Sequence, residues 1–155
     1  MHPFTTALPA ALAVAEAQGS VSGKMLLTAV TVGVDTATRI GMSSRARMRF
    51  FRPGVCGAFG ATAAVAKVLD CDLETTTRAM GLLYSQICGT LQSHHEGATI
   101  NSMQTGFNAK AAVIAVALAQ HDITAPQGVL EGEYGYFRLF EGAYDLSAAL
   151  GTLGT

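Results

Sequence analysis

The chain has 155 residues, one domain's worth, of which half are hydrophobic and only 14% are charged, with a net charge of −1. This balance excludes the basic footprint of a nucleic-acid binder and offers nothing to an anionic membrane surface. Soluble domains carry about 25% charged residues, so part of this exterior is expected to be covered by a partner chain or by further sequence.

Taken in order, Thr5 or Thr6 can cap a first helix running to about Gln18, with Pro9 early enough to be tolerated. Gly19 to Gly23 break it. A second helix is expected from Lys24 to about Met42, because Leu26, Leu27, Val30, Val34 and Ala37 fall on one face. Residues 43–53 are irregular and basic, and a glycine-rich helix follows from Gly54 to about Leu69. Asp72 caps a helix expected to reach Leu91, and Gln92–Ile100 reads as a polar loop. The last long helix runs from Ser102 or Met103 to Gln120, and His121–Pro126 is a turn. Gly128–Glu131 can hold a helical turn, Glu133–Phe140 is aromatic and less regular, and Ser147–Thr155 trails off in small residues. No strand pattern recurs, so the class is all-α.

The longest apolar runs, Met25–Val34 and Ala111–Ala119, fall well short of the roughly 20 residues that span a bilayer. The apolar stretch Ala7–Ala15 lacks a positive flank and contains Pro9, which argues against a secretory signal. Cys56, Cys71 and Cys88 are odd in number and widely spaced, the pattern of reduced thiols in a cytoplasmic protein. No HExxH, CxxC or paired ligand set occurs, so neither a metal nor a cofactor is expected.

The stretch Arg49–Lys67 organises the rest. Gly54, Gly57 and Gly60 strip one helix face of side chains, so that another helix or a ligand can approach the backbone. The spacing fits neither the dinucleotide fingerprint nor the P-loop. Close helix packing explains the glycines by itself; packing plus an anion site at the helix start, helped by Arg52, is the other reading. Five of the ten basic residues lie between Arg39 and Arg52. They form either a solvated loop or a positive mouth for a polycarboxylate, which arginine pairs through two parallel hydrogen bonds. His94 and His95, followed by Glu96, are either solvated or loop histidines that reach a site as acid or base.

Four segments together resemble the MmgE/PrpD family of 2-methylcitrate dehydratases and cis-aconitate decarboxylases, which also includes an iminodisuccinate epimerase. His2-Pro3 with Pro9-Ala10-Ala11-Leu12-Ala13 and Ala15-Glu16 is similar to the family's HP…PAALA-x-AE segment. Gly54-Val55-Cys56-Gly57 with Phe59-Gly60-Ala61 is similar to GVCG-x-FGA, and Ala79-Met80-Gly81 with Ser85-Gln86 and Gly89 to ALG…SQ-x-x-G. Val129-Leu130-Glu131-Gly132 with Gly135-Tyr136-Phe137 is similar to VLEG…GFY.

The resemblance implies the middle of a large helical domain, bundle-like in its core, whose smaller α/β lid is absent here, so that residues 1–155 form a single partial domain. It implies a metal-independent homodimer and proton transfer next to a carboxylate: dehydration, decarboxylation or epimerisation of a small polycarboxylate. His2 matches the histidine of the HP motif and is the catalytic candidate. Phe51 stands where the family often has a histidine, and Asn101 and Gln104 stand where it commonly has lysine and histidine. Asn and Gln can hydrogen-bond a carboxylate but cannot shuttle protons. Arg52, Ser85, Gln86, Asn101 and Gln104 are therefore expected to line an anion pocket, with His2, Arg52 and Gln104 converging on one cleft. The alternative is a catalytically inactive helical module that serves dimerisation, or a truncated family member.

Overall fold

The computed structural model of the chain describes residues 2–121 and 123–154, so Met1, Asp122 in the expected 121–126 turn and Thr155 at the expected tail lie outside it. Its long helices are α1 (Phe4–Gln18), α2 (Gly23–Ser43), α3 (Arg52–Val68), α4 (Leu73–Tyr84) and α6 (Ile100–Ala119). Two single turns, α5 (Gln92–His95) and α7 (Ser147–Leu150), complete the α-helices. Among the described residues the only β pairings are isolated bridges, so the fold is all-α.

Local chemistry sets the boundaries. The Ser22 hydroxyl accepts from the Met25 N–H at 3.2 Å at the start of α2. Asp72 does the same for Thr75 at 2.8 Å at the start of α4. Arg52 and Pro53 open α3, where proline's missing N–H costs no helical bond.

α3 is the axis of the molecule and packs against α1, α2, α4 and α6. Every residue from Gly54 to Ala66 is buried. The glycine face is what lets α2 in: a Cβ on Gly60 would lie 2.3 Å from the Gly33 carbonyl oxygen, and one on Gly33 would lie 2.6 Å from that of Gly60. Gly57 meets Thr6 of α1, whose hydroxyl donates to the Pro53 carbonyl at 3.1 Å. Beside this alanine-rich crossing Phe59, 1% exposed, fills the space toward Tyr84 and Tyr136. Burial of such a ring contributes roughly 1.5–3 kcal/mol.

The fourth helix stops at Tyr84, not at Leu91. The reason lies at Gly89, whose φ of +121° no helix accommodates, and in the next residues, which run extended beside the chain ahead of α3. Phe50 and Thr90 form an antiparallel bridge, Phe51 N–H donates to Gly89 O at 3.1 Å, and Leu91 N–H to Arg49 O at 3.3 Å. The expected polar loop 92–100 then carries the turn α5. The aromatic stretch closes into a π-helical turn, Phe137–Glu141, and the small-residue tail contains α7.

Apolar stripes remain uncovered. Phe4, Leu8 and Leu12 on α1 are 57%, 41% and 41% exposed, and Met103, Phe107 and Ile114 on the adjoining α6 are 53%, 45% and 38% exposed. Among the described residues no helix is long and apolar enough to cross a membrane.

Candidate functional site

A cleft of about 860 Å³ opens where the segment ahead of α1, the C-terminal end of α2, the start of α3 and the turn α5 meet. Its polar and titratable walls are His2, Thr38, Arg52, His94 and Asn101; Pro3, Gly41, Met42, Met48, Phe51, Pro53 and Leu91 supply the apolar remainder. A second hollow of about 280 Å³ between α2, α4 and the 127–131 loop contains none of the expected site residues.

Three of those expected residues thus share the cleft: His2, Arg52 and Asn101. The other three do not line it. Ser85 follows the last turn of α4, and Gln86 donates its amide to the Leu82 carbonyl at 3.0 Å. Gln104 lies behind the wall, 7% exposed, with its side chain fully engaged. Its Oε1 accepts from the Thr90 N–H at 2.9 Å, while Nε2 donates to Ser93 Oγ at 2.8 Å and Asn101 Oδ1 at 3.3 Å. One turn on, the buried Asn108 amide donates to Cys88 O at 2.8 Å and its Oδ1 accepts from Cys88 N–H at 3.3 Å. Both residues are struts that tie the 88–95 turn to α6, and that turn carries His94 into the cleft.

The Arg52 guanidinium is held at several points. Its Nε donates to Glu141 Oε1 at 3.0 Å and Nη2 to Glu141 Oε2 at 2.6 Å, the two-point geometry expected for a substrate carboxylate but taken here by an internal one. Nη2 also reaches Ser44 Oγ at 2.5 Å and the Ala46 carbonyl at 3.0 Å. Nη1 has no partner among the described residues. Glu141, 6% exposed, additionally accepts from Ser44 Oγ and from the Tyr136 hydroxyl, each at 2.5 Å, and that hydroxyl contacts Cys56 Sγ at 3.1 Å.

Burial alone would push the Glu141 carboxyl up, but hydrogen bonds from Arg52, Ser44 and Tyr136 outweigh it and hold the group below the usual carboxylate range. The hydrogen bond to Glu141 raises the Arg52 guanidinium further, against the effect of burial. Burial pushes the Cys56 thiol up to about 11 and drives the Tyr136 phenol far above its ordinary range. None of these groups exchanges protons near neutrality.

Sequence reasoning passed over Glu141, yet a signal was present: an acidic residue directly after a run of aromatic residues must find a cation if its turn is buried. His94 was visible only as one of two alternatives, and its delivery depends on the Gln104 strut. Among the described residues no group of three or more His, Cys, Asp or Glu side chains could hold a metal ion.

Residues 1–149 match the MmgE/PrpD N-terminal domain. The chain is similar to cis-aconitate decarboxylase of Aspergillus terreus, 31% identical over 145 residues that cover 88% of this chain and 29% of that protein. It is also 29% identical over 147 residues to the cis-aconitate decarboxylase-like protein oryM of Aspergillus oryzae, covering 88% and 30% of the two chains. The chain therefore spans about three-tenths of the length of the curated relatives it matches.

Proposed function

The chain belongs to the MmgE/PrpD family, and from that premise we propose that it supplies the helical half of the active site of a cofactor-independent lyase or isomerase acting on a small polycarboxylate, of the methylcitrate or aconitate kind. The observation that carries this reading is the meeting of His2, Arg52 and Asn101 in one cleft although the residues between them span α1, α2, α3 and α4. His2 is the group that exchanges a proton at the carbon next to a carboxylate. Arg52 Nη1 and the Asn101 amide hydrogen-bond the substrate's carboxylates, and Gln104 contributes from behind the wall rather than by contact. The relatives' printed activity, decarboxylation of cis-aconitate, is one member of the reaction class. The exposed stripes on α1 and α6 fit a surface covered in a cytoplasmic homodimer or by a lid domain.

A second reading has its own support: Glu141 already fills the Arg52 fork and Gln104 is consumed as a strut, which suits a catalytically inactive helical module kept for dimerisation. Turnover of cis-aconitate and citrate-like acids, followed by product analysis, separates the two. We expect no turnover by the 155-residue chain alone, and turnover when a family lid domain is supplied, lost in His2→Ala. Absence of turnover with every lid tried, alongside a stable dimer, favours the module.

A further inference from the structure

His94 is the one titratable group of the cleft that neither the expected site nor the proposed chemistry uses. It sits on α5, a single helical turn too short to hold itself. That turn is fastened from both sides: Gln104 takes the Thr90 N–H and Ser93 Oγ, Asn108 takes both backbone groups of Cys88, and Thr90 bridges to Phe50. Two buried amides thus hold the segment that brings one exposed imidazole to the cleft wall.

The charge balance of the cleft gives this placement a consequence. Arg52 is matched one-to-one by Glu141 at 2.6 Å, so the pair brings almost no net charge to a ligand and offers only Nη1 as a directional donor. On the basic segment ahead of α3, Arg45 is paired with Asp145 at 3.1 Å, and Arg47 and Arg49 do not line the cleft. From α2 and α6 the cleft receives only uncharged residues, Thr38, Gly41, Met42 and Asn101. Beside His94, Glu96 is taken by the Gln92 amide and His95 lies outside the lining. Apart from His2, the proton-exchanging group, what remains to answer a polyanion is His94.

We infer that His94 is a further carboxylate-binding residue of this cleft, beside Arg52 Nη1 and the Asn101 amide, and that a small polycarboxylate enters together with a proton taken up by the His94 imidazole. The inference rests on the polycarboxylate reading above and adds the residue and the coupling. A rise of about one pKa unit in an imidazole on binding corresponds to roughly tenfold in affinity.

The test is calorimetric titration of the chain with propane-1,2,3-tricarboxylate, a saturated acid that cannot eliminate, at pH 6 and pH 8 in two buffers of different ionisation enthalpy. We expect tighter binding at pH 6 and net proton uptake between the two pH values. His94→Gln, a change at an exposed position, should lower affinity about tenfold at pH 6 and little at pH 8, and should reduce the proton uptake. His95→Gln should leave both unchanged. If His94→Gln keeps the wild-type pH slope, or His95→Gln loses as much, the inference fails while the site stands. If the tricarboxylate binds at neither pH, the polycarboxylate reading fails as well.

Discussion

Arg52 and Glu141, 89 positions apart in the chain, face each other across a two-point ion pair with contacts of 3.0 and 2.6 Å, and both side chains are largely withdrawn from water. The pair joins the start of α3 to the π-helical turn that closes the fold. Removing one partner strands the other charge, so Glu141→Ala should destabilise the chain by about 3–5 kcal/mol.

The same pair sets an acid limit. The folded state holds the Glu141 carboxyl below its ordinary value, so its stabilisation is complete above the unfolded carboxylate range and is lost as pH falls through the lowered folded value. Urea midpoints of wild type and Glu141→Gln should therefore differ most at neutral pH and converge at strongly acidic pH. A constant gap across the range would show that the charge is not what matters.

Two glycines of opposite kind test the packing axis. Gly60→Ala places a methyl 2.3 Å from the Gly33 carbonyl oxygen and 2.8 Å from Ala37 Cβ. Backbone cannot yield as a side-chain tip does, and the substitution should cost about 1–3 kcal/mol or more. Gly106→Ala, in α6 with nothing within 4 Å of the new methyl, should stabilise by about 0.5–1 kcal/mol. Chemical denaturation of the two variants should move in opposite directions.

Gln104→Ala removes the acceptor of the Thr90 N–H and the donor to Ser93. Leaving such groups unpaired costs about 1–3 kcal/mol, and the loss should be local. Amide hydrogen exchange should accelerate across residues 88–95 while the α3 core stays protected; uniform acceleration would mean that the strut supports the whole fold.

The three thiols should separate by reactivity. Cys88 is exposed, Cys71 half-buried with its thiol raised by burial and by Asp72 and Asp70, and Cys56 buried with its thiol near 11. At mildly alkaline pH an alkylating reagent should modify Cys88 first, Cys71 more slowly, and Cys56 only at the rate of unfolding.

The long helices were legible because their apolar spacing and, for α4, the Asp72 cap are local signals, whereas α1 starts at Phe4, ahead of the expected Thr5 or Thr6 cap. The glycine face announced a close crossing for the same reason. The end of α4 was not legible: Ile87 and Leu91 continue a helical spacing, and only the pairing of Phe50 with Thr90, 40 positions away, makes Gly89 a left-handed break. Arg52 and Gln104 were singled out from the sequence as lining an anion pocket, but their partners Glu141, Thr90 and Ser93 are set by tertiary contact. A sequence shows that a fork or an amide exists, not which acceptor reaches it first.

The Gly33–Gly60 contact reaches beyond stability. With two backbones touching, α2 and α3 cannot slide or rotate against each other without a clash, and both contribute one side of the cleft. The 90–95 turn, which also lines the cleft, is held by the Phe50–Thr90 bridge and by the Gln104 amide. A variant that inserts a side chain at either glycine would therefore disturb the cleft as well as the core.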